Sequence, residues 1–247
     1  MAEWEGGRAA AYDRRMDAQQ IGGLLVAAGA GRRMGQPKAL IRGEPGRAGT
    51  GALSGIENGD RDDETWVVRG VRVLLAAGCS PVVVVTGASG DAVERVVRDA
   101  FAGDERVVVR CAELWADGMS ASLREGLSAF VEGHGSMTGV IVRGVVVTLV
   151  DLPDLGSDAV ARVAARAVSL SGGNPGQVEA QLVRAVYGGR PGHPVFIGRA
   201  HWSSIAEQVR GDTGANAYLR ANGVVSVECG DLGSGEDVDS RPASPER

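Results

Sequence analysis

The stretch LLVAAGAGRRMGQPKAL, residues 24–40, decides how the rest of the chain is read. It starts as a short apolar run and passes directly into a loop that carries Gly29, Gly31 and Gly35 together with Arg32, Arg33 and Lys38. A glycine-rich turn after a strand lets backbone N–H groups approach an anion, so the stretch reads as a phosphate-holding loop at the edge of an α/β sheet. Spacing decides which phosphate ligand. The dinucleotide fingerprint G-x-G-x-x-G breaks at its third glycine, because Met34 stands there and Gly35 comes one place late. The P-loop pattern fails as well. Gly35 is followed by Gln36 and Pro37, and Lys38 by Ala39, which has no hydroxyl for magnesium.

Outward from this loop, short apolar runs recur at 23–28, 81–88, 106–110 and 139–150, rich in valine from the second onward. Between them, Trp66–Ala77, Asp91–Ala100, Met119–Val131 and Ser157–Val168 place apolar residues at helical spacing. Short strands that are apolar on both faces and separated by amphipathic helices predict a three-layer α/β/α sandwich around a mostly parallel, Rossmann-like sheet. Val178–Val186 predicts a further strand, followed by a Gly/Pro-rich loop YGGRPGHP, two short helices and a last strand at Val224–Val227.

Composition sets further limits. A net charge of −5 over 247 residues argues against nucleic acid or an anionic membrane as the main partner, while leaving room for a local basic patch that grips a small anion. Cys79, Cys111 and Cys229 are odd in number and far apart, which suggests neither a disulfide framework nor a thiolate zinc site. The charged N-terminus lacks the apolar core of a signal peptide, so a cytoplasmic protein is expected. Residues 1–20 are expected to be a disordered tail and 21–229 one domain. The glycine-rich, acidic segment 43–64 is expected to be a mobile insertion, and 230–247 a disordered acidic tail.

The pattern left standing in the opening loop is A-A-G-x-G-x-R-M-G-x-x-K, from Ala27 to Lys38, and it resembles the MobA-like NTP transferase family, in which this signature wraps a nucleoside triphosphate. The resemblance implies a nucleotide-diphospho-sugar transferase-like fold. It also implies that Ala27, Ala28, Gly29, Gly31, Arg32 and Gly35 bind the nucleotide, and that Arg33 and Lys38 neutralise the β- and γ-phosphates.

Three more stretches are similar to one subgroup, the molybdenum cofactor cytidylyltransferases. In AELWADGMSASLREGL, residues 112–127, Trp115, Gly118, Met119, Ser122 and Leu123 agree with that subgroup, whereas its Asn-Pro is absent. The likeness implies that Met119, Ser120 and Ser122 approach the acceptor; without it, the segment is a helix start with Asp117 and Ser120 as caps. In VVVTLVDLPDL, residues 145–155, an apolar strand ends in Asp151, where a carboxylate at the ligand-binding rim suits Mg²⁺ or Mn²⁺; its plain alternative is a turn aspartate, as is Asp154. In residues 187–219, Gly189, Gly192, His193 and Pro194 match a G-x-x-G-H-P pattern, and Gly211, Asp212, Gly214 and Ala215 match a G-D-x-G-A pattern. The resemblance implies that Gly192 and His193 meet the acceptor pterin and that Asp212 joins Asp151 at the metal. Ala28 is the variant associated by resemblance with cytosine, which favours CTP over GTP.

The expected activity is therefore transfer of CMP from CTP to molybdopterin with release of pyrophosphate, for maturation of hydroxylases of the xanthine dehydrogenase type. Lys38, Arg33 and Asp151 would be its catalytic residues. A terminal phosphate oxygen is already ionised at neutral pH, so no general base is needed, and alignment with charge neutralisation carries the reaction. The resemblance further implies a molybdoenzyme or its maturation chaperone as partner. Alternatives stay open: another small-molecule phosphate nucleotidyltransferase, an NAD(P)H-dependent oxidoreductase of the nicotine blue oxidoreductase type, or a binding role should the 43–64 segment block the loop.

Overall fold

The computed structural model describes residues 21–43, 64–133, 141–172 and 174–239. The expected N-terminal tail, residues 44–63 of the expected insertion and residues 240–247 lie outside the described residues.

Among the described residues, seven strands form one sheet: β1 (Ile21–Val26), β2 (Val82–Thr86), β3 (Val107–Cys111), β4 (Gly144–Leu149), β5 (Leu182–Tyr187), β6 (Arg190–Gly198) and β7 (Val225–Glu228), in the order β3-β2-β1-β4-β6-β5-β7. β1 pairs in parallel with β2 and β4, β2 with β3, and β5 with β7; β6 alone runs antiparallel, between β4 and β5. The helices are α1 (Trp66–Ala76), α2 (Gly90–Ala100), α3 (Met119–Glu132), α4 (Ser157–Leu170), α5 (Pro175–Val178), α6 (Trp202–Gln208) and α7 (Asn216–Ala221).

Successive residues of a strand point to opposite faces, and the two core layers follow that alternation. Leu25, Val82, Val84 and Val146 face α1, α2 and α4, through Val67, Val71, Val93, Val97, Val160 and Val163. Leu24, Val83, Val85, Val145 and Val147 face α3, α6 and α7, through Leu123, Leu127, Phe130, Trp202, Ile205 and Leu219. The expected three-layer α/β/α sandwich is therefore present, and the β-branched runs form its central strands because both faces are covered. α3 lies so close to β1 that a Cβ on Gly126 would sit 2.4 Å from Leu24 Cδ1.

Two expectations about the second half change. The strand expected from Val178 starts at Leu182, because Asn174 caps the short helix α5, its side-chain oxygen accepting from Gly176 N at 3.0 Å. The expected Gly/Pro-rich loop is a hairpin: Gly188 and Gly189, both at positive φ, make the turn, and RPGHPVFIG continues as β6. Proline is tolerated at Pro191 because it lies at the start of its strand.

The neck of the expected insertion is closed. Arg42 and Thr65 form an antiparallel bridge, and the Trp66 indole N–H donates to Gly43 O at 3.1 Å.

Residues 230–239 also differ from the disorder their composition predicts. They run as an extended strap pinned by polar ties: Arg162 to Asp231 at 2.8 Å, Ser234 N to Asp154 Oδ2 at 2.7 Å, and Val238 N to Asp151 O at 3.0 Å.

Candidate active site

The loops that leave β1, β2, β3 and β4 share the rim where open α/β sheets bind ligands. Ala27 N donates to Val85 O at 2.8 Å, which keeps the first loop against β2. Gly31 has φ +60°, and a Cβ there would stand 1.9 Å from Gln36 O; Gly29, by contrast, has open space around it. Buried Met34 anchors the loop, while Gly35 and Arg32 lie at its exposed tip. Pro37 then leads into a single 3-10 turn, Lys38–Leu40, in which buried Ala39 sets the direction of the Lys38 side chain.

Lys38 Nζ donates to Asp151 Oδ2 at 2.7 Å and to Asp239 Oδ1 at 2.9 Å, and Arg33 pairs with Asp239 at 3.2 Å. Asp151 is held at the end of β4 beside the first loop, since Val150 N donates to Val26 O at 3.1 Å. Carboxylate oxygens of Asp151, Asp237 and Asp239 all lie within 4.8 Å of one another. The second oxygen of Asp151, Oδ1, is buried with no hydrogen-bond partner among the described residues. Burial lowers the Lys38 pKa, but the hydrogen bonds and charges of Asp151 and Asp239 outweigh it and leave the amine above its ordinary value. The hydrogen bond from Lys38 and its charge hold Asp239 below the usual carboxylate range.

The second motif meets the first loop. A Cβ on Gly87 would lie 2.8 Å from both Ala28 Cβ and Trp115 Cβ, so the β2 turn is the seam between them. Gly118 precedes α3 at φ +105°; of the residues behind it, Met119 is exposed, whereas Ser120 and Ser122 are buried and Ser120 Oγ has no partner among the described residues.

His193 lies on β6. Its carbonyl accepts from Tyr187 OH at 2.7 Å, and burial, with the Arg184 guanidinium, pushes its imidazole down to about 4. Gly192 packs against the Tyr187 ring. Asp212 sits elsewhere than expected: its Oδ1 would be 2.5 Å from a Cβ on Gly118, and it is not among the carboxylates gathered at Asp151. Gly211 and Gly214 bracket it in a tight turn that directs it to the α3 start.

Asp237 and Asp239 were not expected in the site. Their signal is the D-V-D alternation, which puts both carboxylates on one side of an extended segment. Arg184 was also missed, although a charged residue inside the buried strand LVRAVY is itself a signal.

Residues 23–227 match the MobA-like NTP transferase domain. The chain belongs to the MobA-like NTP transferase family. Within this family's range of likeness, nicotine blue oxidoreductase of Paenarthrobacter nicotinovorans is 31% identical over 227 residues, covering 89% of this chain and 92% of its own. Two solved structures are similar in fold. Rv0371c of Mycobacterium tuberculosis H37Rv, in complex with manganese, has a TM-score of 0.55 at 22% identity, covering 85% of this chain and 88% of its own. The 4-diphosphocytidyl-2C-methyl-D-erythritol synthase of Anaerococcus prevotii has a TM-score of 0.61 at 11% identity, covering 92% and 94%. The architecture is the nucleotide-diphospho-sugar transferase fold expected for a MobA-like chain, and the family match supports an enzyme of the nucleotidyltransferase type. Among the described residues, no helix is long and apolar enough to cross a membrane.

Proposed function

We propose that this MobA-like protein transfers CMP from CTP to a phosphate of molybdopterin, releasing pyrophosphate in the cytoplasm. The observation that carries nucleotidyl transfer is the placement of Lys38 between Asp151 and Asp239, with Asp237 beside them, at the end of β4 and under the glycine loop. Trp115 beside that loop, Gly118 and Met119 after it against the Asp212 turn, and His193 on β6 supply the argument for the acceptor, and Ala28 the argument for cytosine.

The residues fit a divalent cation. Three carboxylates converge there, and Oδ1 of Asp151 is a buried anion atom that lacks a donor among the described residues. Asp151, Asp237 and Asp239 would hold Mg²⁺ or Mn²⁺, which supplies charge to the α-phosphate and the leaving pyrophosphate when bound. The chain's own groups do the rest. Backbone N–H groups around Gly29 and Gly31 hold the β- and γ-phosphates. Lys38, kept cationic by its two carboxylates, bridges them to the carboxylate cluster, and Arg33 exchanges its exposed pairing with Asp239 for a phosphate oxygen. Removal of water from the partly buried Lys38 strengthens each of these interactions. No side chain need take a proton, since the attacking phosphate is already an anion.

A second reading rests on the 31% identity to nicotine blue oxidoreductase: reduction of a pigment with NAD(P)H on the same rim. The two separate in a thermal-shift measurement. CTP with Mg²⁺ is expected to raise Tm and NADPH to leave it unchanged; the reverse pattern selects the oxidoreductase.

A further inference from the structure

Arg184 lies in the middle of β5, a strand buried along its whole length, and only 6% of its surface is exposed. It pairs across the sheet with Val195, which lies in the core layer that faces α3, α6 and α7. His193, two residues before Val195 on the neighbouring strand, is within electrostatic reach of Arg184. The guanidinium donates from Nη2 to the Asn216 side-chain oxygen, and among the described residues its Nε has no partner. Among the described residues Arg184 makes no ion pair; the charges that reach it are those of Arg220 and, when protonated, His193, both of its own sign.

A buried charge without a counter-charge is strongly unfavourable, and native structures retain one where a ligand supplies the missing charge. Nε and Nη2 form the edge of a guanidinium that a carboxylate or phosphate takes with two parallel hydrogen bonds. Here half of that edge is empty, and the other half is held by a neutral amide on Asn216, itself exposed at the surface.

We propose that Arg184, with Asn216, Arg220 and His193 around it, is an anion subsite that takes a phosphate group of the acceptor, separate from the Lys38 loop that takes the nucleotide. The incoming oxygens replace the Asn216 amide on Nη2 and satisfy Nε. Assignment to the acceptor rests on the nucleotidyl-transfer reading; the subsite itself does not.

Inorganic phosphate is the probe. In an Arg32→Ala/Arg33→Ala/Lys38→Ala protein, where the nucleotide loop has lost its cations, phosphate at constant ionic strength is expected to raise Tm. Adding Arg184→Met is expected to abolish that shift while leaving the phosphate-free Tm unchanged or higher, because a buried unneutralised charge is gone. Asn216→Asp tests the same edge without emptying it. A carboxylate there neutralises Arg184, so Tm without phosphate rises and the phosphate shift disappears. No phosphate shift in the starting variant, or one that survives both changes, overturns the subsite. In the otherwise unaltered protein, Arg184→Met is expected to leave the affinity for CTP with Mn²⁺ within twofold. A tenfold loss would give the anion to the nucleotide and overturn the acceptor assignment. If no nucleoside triphosphate releases pyrophosphate, the nucleotidyl-transfer reading fails while the phosphate shift still decides the subsite.

Discussion

Lys38 Nζ lies 2.7 Å from Asp151 Oδ2, joining the loop after β1 to the end of β4 across 113 positions of sequence. Both side chains are largely enclosed, at 16% and 17% exposure, so the pair is screened less than a surface ion pair. Removing either partner leaves a partly buried charge without compensation, which makes this contact the point where fold and proposed chemistry are most tightly coupled.

Lys38→Ala is expected to lower turnover by at least about tenfold, the scale of one lost phosphate-directed cation. Circular dichroism should show the same fold. Unchanged turnover would remove Lys38 from the reaction.

The glycines of the loop separate strain from ligand contact. Gly31→Ala forces a Cβ onto Gln36 O in a left-handed backbone, and roughly 1–3 kcal/mol of stability should be lost. Gly29→Ala meets open space and should stay within about 0.5 kcal/mol of the parent, yet weaken nucleotide binding. Equal losses of stability in the two variants would contradict the assignment of Gly29 to the ligand.

The strap has a pH window. Asp239 sits below its ordinary 3.8, so its pairing contributes above that pH and is lost as the pH falls through the lower folded value. Lys38 sits above its ordinary 10.5, so its share is present below that pH and fades as the pH rises through the higher folded value. Asp239 is 57% exposed, and the energy is correspondingly small. Hydrogen exchange of residues 230–239 should therefore show, once corrected for intrinsic rates, level protection between about pH 5 and 9 and loss in stronger acid. Protection that changes near pH 7 would point to a different anchor.

Asp154 holds the strap rather than the ligand, its Oδ2 accepting from Ser234 N and Ser234 Oγ at 2.7 and 2.6 Å. Asp154→Ala removes two exposed hydrogen bonds worth about 0.5–1.5 kcal/mol each. Mn²⁺ affinity, read by titration calorimetry, should fall severalfold while Tm moves little. An unaltered affinity would show that Asp237 and Asp239 take no part in holding the ion.

Much of this was legible in the sequence, for reasons specific to each segment. Valine runs buried on both faces, such as Val82–Val85, have few alternatives to a central strand, and a strand that ends at Leu149 places the carboxylate of Asp151, in the turn behind it, at the rim. The first loop was legible because Gly31 must adopt positive φ. β6 was obscured by Pro191, Gly192 and Pro194, which read as a loop until pairing with β5 and β4 overrides local preference. The strap was obscured because little in Gly230–Asp239 beyond Leu232 packs against the core: it is held mainly by polar contacts to Arg162, Asp154, Asp151 and Lys38, which composition does not reveal. Asp212 was misplaced for a related reason, since a motif gives order along the chain but not which carboxylate the strap brings to Asp151.

The most direct test of the central claim is pyrophosphate release from CTP, GTP, ATP and UTP with Mg²⁺ and in vitro assembled molybdopterin, with Asp151→Asn as control. The account predicts turnover with CTP, little with the other three, and loss of activity in Asp151→Asn. No pyrophosphate from any nucleotide, or activity untouched in Asp151→Asn, would contradict it.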